Sequence, residues 1–328
     1  MTPLLALVHP QTELSLLRNC AWTLCNLCRG QPQPLLALVC PALAVLSQQL
    51  LLSSDSEVLT DALWTLAFIT DGGVHDRVQA FLDSDGCARI VELMLYPATS
   101  VQTPALRTIG HIVTGNDEQR QVAIDAGALP CLLVLLGSAK KAIRKEAAWA
   151  VSSICAGSRT QIQAVIDADI VEVLVQLAMG PDAAVRKEAV GAIRNATCGG
   201  SPEQIEVLVQ HGAVIVLSHI FDLVGQRDFR MDGSALEGIE NILRAGDIRF
   251  GAGAANLWVQ ACKDAGVLET LHKLRKHPDS TMASKAVHIL VTWFQRDVAP
   301  SEPVEEVVEE IGDIALAETF LSDLFVGE

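Results

Sequence analysis

Trp22-Thr-Leu-Cys-Asn26, Trp64-Thr-Leu-Ala-Phe68, Arg107-Thr-Ile-Gly-His111, Trp149-Ala-Val-Ser-Ser153, Gly191-Ala-Ile-Arg-Asn195 and Glu237-Gly-Ile-Glu-Asn241 are six versions of one pattern. Their first residues lie 42, 43, 42, 42 and 46 positions apart. A second landmark keeps the same register: Gly86, Gly127, Asp169 and Gly212 follow one another at 41, 42 and 43 positions, each after an apolar helical run. A period in this range marks stacked helical repeats, and equivalent positions of such a stack recur along one extended concave surface.

Residues 117–157 give the grammar of one unit. Asp117 to Ile124 (DEQRQVAI) reads as a short amphipathic helix that stops near Asp125-Ala126-Gly127. Leu129 to Leu136 (LPCLLVLL) reads as a second helix with Pro130 in its first turn, where a missing N–H costs little. After Gly137-Ser138, Lys140 to Cys155 forms a longer third helix, with a glycine cap expected at Ala156-Gly157. Three helices per unit favour armadillo over two-helix HEAT repeats. The grammar returns in 158–200 and, with more drift, in 74–115 and 201–246; a last unit occupies 255–275 and 279–294. The expected fold is all-α, a right-handed superhelical armadillo solenoid of about six to seven repeats spanning residues 1–295. Its first repeat is incomplete, reduced to a third helix over roughly Glu13 to Arg29, so an apolar face is expected to be open there. That end marks either a fragment or divergent product, or an association surface. Residues 296–328 are expected to be an acidic, partly disordered tail.

Composition excludes several functions. Residues after Arg296 carry ten carboxylates and no Lys or Arg, out of a net charge of −15. No basic footprint for nucleic acid is present. The apolar run Leu35–Leu52 is interrupted by Pro41 and Ser47-Gln48-Gln49 and is short for a membrane span. Nothing at Met1 resembles a signal peptide. Nine scattered cysteines argue against a disulfide framework. Cys25-Asn-Leu-Cys28 lies in a helical pattern without a second ligand pair and reads as buried small hydrophobes, with a metalloenzyme the remote alternative. No His pair has zinc-helix spacing, Gly251-Ala-Gly-Ala-Ala reads as a flexible insertion, and Ser152-Ser153 lacks a convergent His and Asp. No catalytic residue, metal or cofactor is assigned, and an enzyme is not expected.

The pattern residues point to a peptide groove. Positions four apart share one helix face, so Trp22, Trp64 and Trp149 are expected to form a ladder, with Asn26, Phe68, His111, Ser153 and Asn195 in a parallel row. Indoles leave slots for lysine or arginine stems, with cation–π attraction at the rings. Asn amides can pair with an extended backbone, and His111 reads as an Asn substitute. Asp71, Glu146 and Glu188 would receive the cationic ends. The plainer alternative is that the indoles fill core.

Leu17-Arg-Asn-Cys-Ala-Trp-Thr-Leu-Cys-Asn-Leu-Cys-Arg-Gly30, Val101-Gln-Thr-Pro-Ala-Leu-Arg107, Ile112-Val-Thr-Gly-Asn116, Arg144-Lys-Glu-Ala-Ala-Trp149, Gln161-Ile-Gln-Ala-Val-Ile-Asp-Ala168 and Glu240-Asn-Ile-Leu-Arg244 resemble the importin-α family, adaptors for nuclear localisation signals. The resemblance covers about residues 11–295 and implies cargo grooves, shuttling between cytoplasm and nucleus, and importin-β binding through a basic N-terminal domain. It also implies an export receptor held by the last repeat and the acidic tail. This sequence aligns from about the family's fourth repeat, without the basic domain, which puts importin-β binding in doubt. Of the larger cargo site only the edge at Trp22 and Asn26 remains. Arg107, Val113, Gly115, Glu146, Trp149, Ser152, Glu188 and Asn195 match the family's smaller site, whereas His111 and Ser153 replace Asn and Gly191 replaces Trp. Arg120 stands at a Thr position and is expected to repel a basic peptide. The reading is an adaptor for lysine/arginine-rich localisation signals with a weakened groove; the alternative is a protein-interaction scaffold that has lost transport.

Overall fold

A computed structural model describes residues 1–30, 32–222, 229–251 and 255–294. Among them every regular element is helical. They belong to two compact units, Met1–His211 and Gly212 onward. The acidic tail and most of the Gly251-Ala-Gly-Ala-Ala insertion lie outside the described residues.

In the first unit, α1 (Thr2–Leu5) and α2 (Leu14–Cys28) are followed by α3 (Leu36–Gln48), a 3-10 turn (Leu50–Leu52) and α4 (Ser56–Thr70). Three-helix repeats then appear in full: α5 (His75–Leu82), α6 (Cys87–Leu93) and α7 (Thr99–Thr114); α8 (Asp117–Asp125), α9 (Ala128–Leu136) and α10 (Lys141–Cys155); α11 (Arg159–Asp167), α12 (Ile170–Ala178) and α13 (Ala183–Gly199). The unit closes with α14 (Pro202–Gln210). The second contains α15 (Ala213–Asp222), α16 (Phe229–Phe250), α17 (Leu257–Asp264), α18 (Val267–Leu274) and α19 (Ser280–Trp293). Each lies within a residue or two of the helix read from the sequence where one was read. Helix α3 continues through Pro41, whose ring is exposed, rather than breaking there.

The landmark between first and second helices is a left-handed residue. Gly127 has φ 86° and Asp169 φ 56°, turning the chain abruptly from α8 into α9 and from α11 into α12. One repeat differs: Gly86 has φ −83°, and Asp85, at φ 59°, makes the turn instead.

Consecutive repeats are joined by a glutamine ladder. Asn116, Ser158 and Ser201 cap α8, α11 and α14 in capping boxes with Gln119, Gln161 and Gln204. Each glutamine then donates through Nε2 to the repeat before it: Gln119 to the His75 carbonyl at 3.0 Å, Gln161 to that of Asp117 at 2.8 Å, and Gln204 to that of Arg159 at 2.9 Å. All three are buried, so every polar atom they commit has to find a partner. The expected left-handed cap at Gly157 is absent. Its missing side chain instead makes room, since a Cβ there would sit 2.0 Å from Gln161 Oε1 and 2.8 Å from Arg120 NH1.

Arg120 itself is buried, contrary to its expected place in the groove. Its guanidinium donates to the Val113 carbonyl at 3.0 Å, the Gly115 carbonyl at 3.1 Å and Gln161 Oε1 at 3.2 Å, and pairs with Asp117. The carbonyls at the end of α7 lack helical partners, and a cation there also meets the negative end of the helix dipole. Arg120 is therefore a helix cap and a tie between repeats.

Candidate functional site

Helices α2, α4, α7, α10 and α13 pack in sequence, each against the next, and carry the repeated five-residue pattern on one row. Salt bridges bind neighbours together: Arg18 with Asp55 at 2.7 Å, Arg107 with Glu146 at 2.9 Å, and Arg144 with Asp182.

A cleft of about 430 Å³ opens between α2 and α4, lined by Trp22, Asn26, Asp61, Trp64 and Phe68, with Cys25 at its floor and Arg29 at its edge. Trp22 is 60% exposed. Trp64 and Phe68 are stacked, with ring centroids 5.8 Å apart and planes 26° from parallel. Asn26 donates to the Trp22 carbonyl at 2.8 Å and stays exposed. Burial, and then the nearby Glu57 carboxylate, push the Asp61 carboxyl above its ordinary range. Asp61 was missed as a candidate although it stands three residues before Trp64, the spacing that relates Glu146 to Trp149 and Glu188 to position 191. Cys25 and Cys28 are buried, and burial pushes both thiols up to about 11, as befits packing residues rather than ligands. Among the described residues no group of three or more His, Cys, Asp or Glu is placed to hold a metal.

Toward α7 the pattern closes. His111 is 6% exposed, with Nδ1 3.1 Å from the Thr70 hydroxyl and Nε2 3.5 Å from Asp71 Oδ1. Burial, helped by Arg107 and opposed by Asp71, drops its pKa to about 4, so the ring is neutral near pH 7. The expectation of a groove-facing Asn substitute is corrected: this ring lies in the α4–α7 contact because both nitrogens have partners there. Val113 is fully buried, and its carbonyl is taken by Arg120. Gly115 caps α7 and offers no side chain.

On α10 and α13 the matched residues meet mainly each other. Trp149 is half-buried, its ring edge-on to His111 at 6.0 Å. Glu146 is held by Arg107, and its other oxygen, Oε2, is buried without a hydrogen-bond partner. Ser153 bonds the Trp149 carbonyl at 3.1 Å and lies 3.2 Å from the Thr114 hydroxyl. Asn195 donates to the carbonyl and hydroxyl of buried Ser152, at 2.9 and 3.2 Å, and accepts from Arg194. Its amide is thus engaged by the protein itself. Glu188 is raised by burial and by Glu146, against the pull of Lys145 and Lys187. Among the described residues only Ser152 Oγ, at 3.3 Å, lies within 4 Å of where a Cβ on Gly191 would be, so the wall that an indole would build is missing there.

Residues 116–156 and 158–198 match the armadillo/beta-catenin-like repeat. Importin subunit alpha-1b of Oryza sativa subsp. japonica is 46% identical over 305 residues, which cover 91% of this chain. The chain belongs to the importin-α family. Importin subunit alpha-3 of Arabidopsis thaliana is likewise 46% identical, over 90% of this chain. The chain spans 56% of the length of each of these relatives. A solved designed armadillo repeat protein in complex with peptide (KR)4 aligns at 28% identity with a TM-score of 0.66, covering 73% of this chain and 98% of its own.

Proposed function

We propose that this chain is a nuclear import adaptor that binds lysine/arginine-rich localisation signals as extended segments along the row of third helices. The observation that carries this reading is the Trp22–Trp64 cleft, an open aromatic slot with a carboxylate, Asp61, in its wall. A lysine stem can lie between indoles while its ammonium meets the ring faces and the acidic field. The family resemblance and the complex of a designed armadillo protein with peptide (KR)4 support the same chemistry. In this reading Trp22, Asn26, Trp64, Asp61 and Asp71 form the stronger half of the groove. Arg107, Glu146, Trp149, Ser152, Ser153, Glu188 and Asn195 form a weaker half, from which buried His111 and Val113 and the side-chain-less Gly115 drop out. Work in cytoplasm and nucleus, and release through an export receptor at the last repeat and acidic tail, belong to the same proposal.

The test is titration of a fluorescent lysine-rich localisation peptide against a Lys→Ala control at low and physiological salt. Selective binding that weakens with salt is expected, since the contacts are led by charge. Equal binding of both peptides at both salts overturns the adaptor reading and favours the scaffold, which the engaged amide of Asn195 and the buried His111 already favour for the α7–α13 stretch.

A further inference from the structure

We infer that the cleft between α2 and α4 is an aromatic cage for a methylated lysine, so that a basic segment carrying one is a preferred ligand of this groove. The inference rests on the groove reading above and deepens it by naming the side chain that its open slot selects. Three rings bound the cleft: Trp22 from α2, and Trp64 and Phe68 from α4. The two on α4 are stacked into one continuous aromatic wall, and Trp22 across from them is exposed enough to be reached.

Phe68 is the departure that matters. The equivalent residue is Asn26 in α2, His111 in α7, Ser153 in α10 and Asn195 in α13, each with a polar, hydrogen-bonding side chain. At Phe68 that capacity is exchanged for a third ring. An unmodified ammonium carries three N–H donors, which need acceptors once water is stripped away. A trimethylammonium keeps the charge, has no N–H to satisfy, and presents methyl groups to the π faces, the arrangement aromatic cages use for quaternary ammonium ions. Asp61 supplies the counter-charge from a partly desolvated setting, where its field is weakly screened. Arg29 at the edge repels either form of lysine equally, and so does not select between them.

A series of lysine-rich peptides, each trimethylated at a single successive lysine, would be titrated against the full chain, Phe68→Asn and Trp22→Ala. At one lysine, trimethylation should tighten binding at least about twofold; Phe68→Asn should abolish that gain while still binding the unmodified peptide, and Trp22→Ala should weaken both peptides and leave no gain. Weakening at every position, or a gain that survives both substitutions, overturns the inference while leaving lysine-peptide binding intact. Failure of modified and unmodified peptides alike overturns the groove reading together with it. Trp22 is mostly exposed, so its variant reports on the cage without disturbing the core.

Discussion

The ring of Trp149 lies directly on Gly110: a methyl group added to that glycine would stand 2.2 Å from one ring carbon and 2.8 Å from the next. An indole on one repeat is thus seated by a missing side chain on the repeat before. At the equivalent place on α2 stands Cys25, which lines the Trp64 cleft.

Gly110→Ala should therefore lift Trp149 from α7. Expected are a red-shifted tryptophan emission and a loss of roughly 1–3 kcal/mol, the range for overpacking a tight contact. An unshifted spectrum with unchanged stability, by fluorescence and urea unfolding, would mean that the contact relaxes freely.

Arg120→Thr should lower stability by about 1–3 kcal/mol, because it strands buried carbonyls that the guanidinium satisfies. Peptide affinity should not rise, since the charge is spent on α7 and Asp117. Tighter peptide binding by this variant would return Arg120 to the groove.

His111 should make the fold acid-sensitive well above the carboxylate range. Its folded pKa of about 4 lies below the ordinary histidine value of 6.5, so the unfolded chain binds the extra proton first. The stability this group contributes is complete above pH 6.5 and is lost as pH falls toward 4. By pH 5 the loss should be about 2 kcal/mol relative to pH 7, and His111→Asn should abolish it. Parallel denaturant midpoints for the two proteins at both pH values would check this.

Asp61→Asn should weaken a lysine-rich peptide several-fold, a change of roughly 1 kcal/mol. Glu146→Gln should weaken it less and instead cost stability, because Glu146 is already paired with half-exposed Arg107. A reversed order in peptide titrations would assign the cation to α10 rather than α4.

The repeat period made the helices legible, because each unit must bury the same face against the next and so repeats its apolar spacing. The glutamine ladder went unread, although Gly-Asn/Ser-x-x-Gln recurs at residues 115–119, 157–161 and 200–204, because its partners lie a full repeat away and no local pattern names them. The groove was harder. Spacing placed His111, and the family resemblance Arg120, toward a ligand, yet whether a polar side chain faces outward depends on acceptors donated by neighbouring helices. Thr70 and Asp71 draw His111 inward, and the end of α7 draws Arg120. Asp61 escaped notice for the opposite reason, as a carboxylate whose importance comes from an open cleft built by two repeats.

The most direct test compares Trp64→Ala with Trp149→Ala in binding the same fluorescent lysine-rich peptide at physiological salt. Loss of the open slot should cost about tenfold or more, as removal of an aromatic anchor does, and Trp149→Ala should cost clearly less. Equal affinity of folded Trp64→Ala and the unaltered protein would contradict the account, because the cleft between α2 and α4 would then not be where the peptide is held.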